Sequence, residues 1–557
     1  MQKWDLLKSR NKGIEAVLET RALKDVEDNR LRLKASIESV RLLAKQIAPF
    51  RGHDESKSSL NQGYFLEVLN SFTRMSVDVE RVVLNVPGNT KYTSPTIQKQ
   101  ILNIIGHRVR TKIHEKVDIS KYCILVDKAK DVSGQEHMTI ILRFVDSQGL
   151  IRERFFKIVS VLDTTSQTLK NGILKVLTMY DLQVKNMRGQ WYDGASNMRS
   201  IYNGLQALFL EECPCAYFVH CYTHRLQLTL NVTAQGVHEI WQFFITLSLI
   251  VNFVDASAKR HSTLIVMRKE EITELVACGE LQTGSGANQI CTLQRAVKKT
   301  LNVMIDQRVE GEAEAILKAL RSFDFVLCLL LMNKNDKVTP SRDEEWDGLL
   351  KDVTSICEIH ELDMPDLSAR YKSRTGRDCQ QNDFISVEHH YRVSLFNFLI
   401  DYQLSELNRR YSDQASELLT LSSTLDSRGR SFKTEDVCNL AKKFYPVDFD
   451  DGEMCSLQLE CAYYEMDMHN DLQFKKLESI AELSHTLAQT RKSEFYLMLY
   501  RLICLVLNIH VSSTTTEKTF SGMNIIKNRL RNKMEDEFLD DCMLLYGEKE
   551  YTDSIDN

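Results

Sequence analysis

The spacing of apolar positions changes character twice along the chain. Up to about residue 115 it is helical: LRLKASIESVRLLAKQIA (31–48) gathers its apolar side chains on one face. After the polar loop FRGHDESKSSLNQG (50–63), a second helix begins at YFLEVLNSF. From residue 121 the period shortens. KYCILVD (121–127) is a brief apolar run that ends in aspartate. MTIILRFVD (138–146) and LIRERFFKIVSVLD (150–163) read as extended segments joined by SQG, a hairpin signal. Then follow a helix from about 165 to 182, the short segment MRGQWYD, a helix from about 197 to 212, the apolar run AYFVH (216–220) and a helix starting near Cys221. The order β, β, β, α, β, α, β, α predicts a mixed sheet with helices packed on it.

Strand signals almost vanish from about 236 to 490. IWQFFITLSLIVNFV, EAEAILKALRSFDFVLCLLLM and HHYRVSLFNFLIDYQLSELNRRY have the pattern of long helices, joined by the polar linkers GELQTGSGANQ (279–289) and NKNDKVTPSRDEE (333–345). Near the C-terminus, VSSTTTEKTFSGMNIIKNRLRNKM (511–534) reads as a helix with Ser and Thr before Glu517 and basic residues after it. A sheet region is thus followed by a long helical stretch and a last helical piece, with no internal repeat.

Composition narrows the picture. At 557 residues the chain needs more than one core, and 7 prolines with 22 glycines favour long uninterrupted helices over an all-β chain. A net charge of −5 gives no overall basic signature, so any nucleic-acid contact must rest on local patches. The 14 cysteines contain no CxxC, and MQKWDLLKSRNKG lacks the apolar centre of a signal peptide, which points to reduced thiols in the cytosol or nucleus. The most apolar run, FYLMLYRLICLVLNI (495–509), holds Arg501 at its middle and is short for a membrane span; a buried helix and no membrane contact are expected.

Asp127 and Asp193 both fall at the ends of predicted strands, where ligand sites of open sheets lie. Two carboxylates about 4 Å apart repel by roughly 4 kcal/mol at an effective dielectric near 20, a cost that a divalent cation offsets. Two metals about 3.5–4 Å apart activate water and steady a leaving oxygen at a phosphodiester. Taken singly, either aspartate also reads as a solvated strand-end residue.

GQWYDGASNM (189–198), VHCYTH (219–224) and SSTTTEKTFSGMNIIKNRLRNKM, in that order, resemble the marks of the hAT transposase superfamily. More narrowly, the chain resembles the plant zinc finger MYM-type protein 1-like group, over roughly residues 30 to 550. The resemblance implies an α/β fold: an RNase H-like mixed-sheet core interrupted by a large all-α insertion, after a helical N-terminal region. The implied boundaries are 1–115 for the N-terminal helices, 116–235 for the first part of the core, 236–490 for the insertion and 491–557 for a C-terminal dimerisation region that completes the core. It further implies an acidic triad, Asp127, Asp193 and Glu517, as catalytic residues and ligands of Mg2+ or Mn2+, with Gly194 and Ala195 letting the chain pass close to the site. Cys221 and His224 fall on the family's Cys-x-x-His, which in relatives helps hold a DNA end. The implied chemistry is two-metal DNA strand cleavage and transfer in the nucleus.

Three departures shape the expectation. Lys128 stands where relatives carry an acid, no tryptophan lies between Trp241 and Trp346 to stack on a flipped base, and the first cysteine is Cys123, so the usual N-terminal zinc module is missing. A domesticated or degenerate transposase is expected, the alternative being a non-catalytic dimerising nuclear protein. Weak, nonspecific DNA contact is assigned to Lys527, Arg529 and Arg531, and self-association to 490–545, whose apolar helices offer more nonpolar surface than a short terminal segment hides by itself. Cys213, Cys215, His220, Cys221 and His224 are close enough in sequence to suggest zinc, but the intervening strand separates them, and buried thiols account for them better.

Overall fold

Strand β1 (Tyr122–Lys130) runs through the middle of a five-stranded sheet ordered β3-β2-β1-β4-β5, with β2 Glu136–Val145, β3 Ile151–Val161, β4 Met187–Tyr192 and β5 Tyr217–His220. The first three strands are antiparallel neighbours; β1–β4 and β4–β5 are parallel. The computed structural model describes residues 2–56, 58–84, 91–117, 120–131, 133–161, 163–192, 194–277, 310–334, 342–359, 362–371, 385–411, 414–425, 432–470, 474, 477–509, 514–527 and 534–556. For 2–20, 223, 271–277, 310–313, 333–334, 415, 468–470 and 514–517 it describes the backbone alone.

Both hairpins turn on the same device. Asp131 and Asp146 each accept backbone N–H groups from two and four residues ahead, and Gly134 and Gly149 supply the positive φ that closes the turn. Past β3 the chain crosses through helix α5 (Ser166–Met179) to β4, which is buried along its whole length, as parallel strands require.

The remaining helices of this unit are α1 Gln2–Lys45, α2 Tyr64–Met75, α3 Val77–Leu84, α4 Pro95–Val117, α6 Ser196–Arg199, α7 Leu205–Glu212, the first turn of α8 Tyr222–Gly236, whose remainder belongs to the second unit, α9 Gln414–Ser422, α10 Thr434–Phe444, α11 Asp451–Asn470, α12 Ile480–Gln489, α13 Leu497–Leu507, α14 Thr514–Ile526, α15 Asp536–Gly547 and α16 Lys549–Asp553. The helix expected over 197–212 is broken into α6 and α7. Between them Gly204 passes so near Ser200 that a Cβ there would lie 2.4 Å from the Ser200 carbonyl oxygen.

C-terminal residues close the sheet. β3 is an edge strand, and two of its backbone N–H groups are taken up by carboxylates from the end of the chain: Phe155 donates to Glu548 at 2.8 Å and Ile158 to Asp540 at 2.9 Å. Arg110 on α4 binds the same helix, with Nη2 2.5 Å from Asp540 and Nη1 2.8 Å from Asp541, all three side chains nearly inaccessible. Burial pushes the Asp541 carboxyl up even though Arg110 opposes it. The N-terminal helices share the sheet's core rather than forming a separate body, as Val40, Leu69 and Val109 do.

The chain divides into two units, Met1–Arg225 with Asp413–Asn557, and Leu226–Ser412. The second has its own core around Ile240, Val326, Trp346, Val353 and Leu399, built by helices such as His238–Asp255, Phe323–Lys334, Arg342–Ile359 and Phe398–Tyr411. Among its described residues the β-type pairing is the isolated bridge Arg370–Ser386. The described residues stay helical to Gln489, as expected, but the separate unit ends at Ser412, not at 490. Helices α9 to α12 belong to the sheet-bearing unit: Leu418, Leu440, Leu457 and Leu487 share its core. Tyr217 on β5 donates to the Phe444 carbonyl at 2.7 Å, and Arg188 on β4 grips Asp448 with two bonds of 2.6 and 2.7 Å. Helical periodicity reports that a face is buried but not in which core.

A second correction concerns 490–545. On α13, Leu499, Leu502, Ile503, Leu505 and Val506 are buried within this chain, as are Leu539, Met543, Leu544 and Leu545 on α15. The apolar surface expected to need a partner is covered by the sheet, α4, α11 and α12.

Candidate functional site

The parallel register of β1 and β4 ends with Leu125 opposite Trp191, each two residues short of an aspartate of the expected triad. Asp127 stands on β1 opposite Thr139 of β2 and is half-buried; its Oδ1 accepts the Lys128 backbone N–H at 2.8 Å. Tyr122 to Val126 are all buried, and exposure on β1 begins at Asp127. Asp193 lies outside the described residues.

The described chain resumes at Gly194, where it passes close to two imidazoles. A Cβ on Gly194 would come within 2.5 Å of His220 Nε2 and 3.6 Å of His224 Cδ2. A small residue is needed here because β5's last residue and the first turn of α8 come close; the expected passage close to the acidic site lies outside the described residues. The turn is fixed from the other side: Asn197 donates its side-chain amide to the Thr164 carbonyl, and Ser166 Oγ donates to the Asn197 carbonyl at 2.8 Å. Tyr192 and Phe218 stack at 5.7 Å, Phe218 and His220 at 6.4 Å, so aromatic rings line the path from β4 to His220.

Cys221 and His224 are joined, but not as two contacts offered to DNA. Cys221 is buried, and its Sγ accepts the His224 backbone N–H at 3.4 Å, capping the start of α8. His224 is half-buried, with its ring 6.0 Å from that of His220. The thiol thus fixes the backbone at the start of the helix that carries the histidine. Cys213 and Cys215 are also buried, and the described residues contain no group of three or more His, Cys, Asp or Glu arranged for a metal ion.

Glu517 lies on α14, for which the backbone alone is described at that position. The helix rests against β1 and β2, with Met523 and Ile526 fully buried. The carboxylate positions of Asp193 and Glu517 lie outside the described residues, and so does the convergence of the triad. Arg529 and Arg531 lie outside them as well.

Lys527 is described, and it overturns its assignment. It was expected on a basic face offered to phosphates, yet it is buried with Nζ 2.5 Å from Asp131 Oδ2 and 3.4 Å from His137 Nε2. An ammonium bonded inward cannot neutralise a phosphate. Asp131, with no exposed side-chain surface, accepts Ser133 N–H at 2.8 Å, Ser133 Oγ at 2.6 Å and Gln135 N–H at 3.0 Å on Oδ1, and meets His137 Nε2 at 2.9 Å on Oδ2. Ser160 Oγ lies 3.1 Å from His137 Nδ1, which carries the network to β3. Burial alone would raise the Asp131 carboxyl; the bonds from Lys527, Ser133, His137 and Gln135 outweigh it and hold the group far below the usual carboxylate range. The cluster ties the end of α14 to the β1–β2 hairpin, about 15 Å along the helix from Glu517. The turn signal Asp131-x-Ser133-Gly134 was readable in the sequence; a lysine arriving from residue 527 was not.

Among the described residues no single helix is long and apolar enough to cross a membrane. Residues 1–204 match the family model described as the ZMYM1/FAM200, RNase-like domain, and residues 467–551 match the hAT family C-terminal dimerisation region. The chain is similar to the 52 kDa repressor of the inhibitor of the protein kinase of Homo sapiens, 21% identical over 579 residues that cover 93% of this chain and 74% of the relative. The Mus musculus protein of the same name is 21% identical over 574 residues, with the same coverage. An RNase-like segment that ends soon after β4 and a hAT dimerisation region that returns to the same sheet make the chain similar to hAT-derived proteins at both ends.

Proposed function

We propose that this chain is a domesticated or degenerate hAT transposase, a self-associating nuclear protein that contacts DNA weakly. Its RNase H-like core is interrupted by the helical unit and keeps the acidic site of ancestral two-metal strand cleavage and transfer. The observation that carries the reading is the pairing of β1 with β4 in parallel register two residues before Asp127 and Asp193, with α14, the helix of Glu517, lying against β1.

Three carboxylates are hard oxygen donors of the kind Mg2+ and Mn2+ prefer, and Asp127 stands half-buried on a rigid central strand, so the residues fit such ions. Asp127, Asp193 and Glu517 would hold them. Bound metal would supply Lewis-acid activation of water and stabilisation of a leaving oxygen. His224, half-buried at the start of α8, would help hold a DNA end, a role that rests on the Cys-x-x-His resemblance. Nonspecific phosphate contact falls to Lys518, Arg529 and Arg531, since Lys527 is spent inside the fold.

A non-catalytic dimerising regulator is the second reading. It is favoured by Lys128 next to Asp127 and by relatives whose printed name is that of a repressor. A nicking assay on branched or hairpin DNA with Mg2+ or Mn2+ decides between them. Nicking by the wild type and none by Asp193→Asn supports the retained reaction. Equal products from both overturn it and leave the regulator. DNA affinity, read in the same samples without metal, should fall steeply between about 50 and 200 mM salt and show no sequence preference.

A further inference from the structure

Helix α11 is apolar on two opposite sides. One side, with Leu457, Cys461 and Tyr464, is buried in the core of the first unit. The other carries Leu459, Tyr463 and Met466, which are 63%, 64% and 65% exposed. A surface helix needs one apolar stripe, so the second one is unexplained by the fold.

The outward stripe has a regular pattern. Positions 452, 455, 459, 462 and 466 are Gly, Cys, Leu, Ala and Met, spaced three and four residues apart, the seam of a two-helix contact. None is charged. Gly452 and Ala462 let a facing backbone approach, while Leu459 and Met466 supply the knobs. Three of the helix's acids turn instead to α13 and its approach: Glu453 pairs with Arg501 at 2.8 Å, Glu460 accepts the Met498 and Leu499 N–H groups at 2.8 and 2.9 Å, and Asp467 accepts the Tyr496 hydroxyl at 2.6 Å.

We propose that this outer face of α11 packs against the same face of a second copy of the chain across a two-fold axis. The inference rests on the self-association reading above and goes beyond it by naming the surface. Two observations select a second copy as the occupant. The matched dimerisation region begins at residue 467, on the last turn of this helix and directly after Met466, so the stripe runs into it without a break in the helix. Further, most apolar side chains of the region's own most apolar helices, α13 and α15, are buried inside the protomer, Leu497 at 50% exposure being the exception on α13. A seam of about 21 Å buries less than the roughly 800 Å² per partner of a standard interface, so it works together with surfaces inside 467–551.

Sedimentation velocity on the full chain at tens of micromolar tests this. The wild type should sediment as twice the 64.3 kDa chain mass. Leu459→Glu with Met466→Glu should weaken the dimer at least tenfold and leave a monomer, while Tyr463→Glu alone gives an intermediate loss. Because these side chains are exposed, far-UV dichroism and Tm should match the wild type. Met75→Glu, at an exposed apolar residue elsewhere, should leave the dimer intact. A double variant that stays dimeric overturns the surface and leaves the self-association reading standing. A wild type that is monomeric overturns both.

Discussion

Replacing Asp131 with asparagine keeps shape and removes one charge from the pair that secures α14. Asp131 and Lys527 are both essentially inaccessible, with side-chain exposures of 0% and 2%. Breaking such a pair from one side leaves an uncompensated ammonium in the interior, which costs about 3–5 kcal/mol. The first unit has about 370 residues. At roughly 2.1 cal/mol/K per residue its unfolding entropy is about 0.8 kcal/mol/K, so Tm should fall by about 4–6 °C. Adding Lys527→Met should recover most of that loss, since the stranded charge is then gone. By contrast, Glu535→Gln, which breaks the exposed Lys99–Glu535 pair, should move Tm by less than about one degree.

Calorimetry reads the Tm values, and hydrogen exchange reads where the structure loosens: residues 514–527 should exchange faster in Asp131→Asn while β2 and β3 stay protected. The pH dependence has a definite sign. The Asp131 carboxyl is depressed in the folded state, so its contribution is present above the ordinary value of 3.8 and is lost as pH falls below it. The gap between wild type and Asp131→Asn should be flat from pH 6 to 8 and shrink under acid. A Tm within one degree of wild type, or unchanged exchange in 514–527, would refute the reasoning.

Arg110→Met strands two buried carboxylates, Asp540 and Asp541, with Lys157 the remaining cation within 2.7 Å of Asp540; thermal denaturation should show a loss of at least 3–5 kcal/mol. Deleting 490–557 should do more than remove a dimer contact: it takes Lys527 from Asp131 and uncovers the Phe155 and Ile158 N–H groups of an edge strand, so the truncated chain should aggregate in size-exclusion chromatography, and a soluble, cooperatively folding product would contradict the fold argument.

The sheet was legible because its strands carry their own signals. The expected segment 138–146 is observed at 136–145, 150–163 at 151–161 and 216–220 at 217–220, and the two Asp-x-x-Gly turns have a mechanism visible in four letters. What the sequence hides is partnership across long separations. Leu440 and Leu349 have the same helical surroundings in sequence, yet one lies in the sheet's core and the other in the second unit's. Lys527 sits in a run of basic residues that reads as a solvated face, and only the arrival of Asp131 from the β1–β2 hairpin, 396 residues earlier, turns it inward. Cys221 was legible as a motif member but not as the cap of its own helix.

These partnerships bear on how dimer and site relate. The segment matched as a dimerisation region, 467–551, also supplies the helix of Glu517, the latch Lys527 and the two carboxylates that close β3. Most of its apolar side chains are therefore committed to building one protomer before any partner arrives. A partner must use what the fold leaves outside, and the charge-free outer stripe of α11 meets the end of this segment at Asp467. On this geometry, variants of the stripe alter association while leaving the sheet closed, and variants of the latch alter the placement of α14 while leaving the stripe exposed. The two properties are separable by point substitution, and a truncation that removes the segment conflates them.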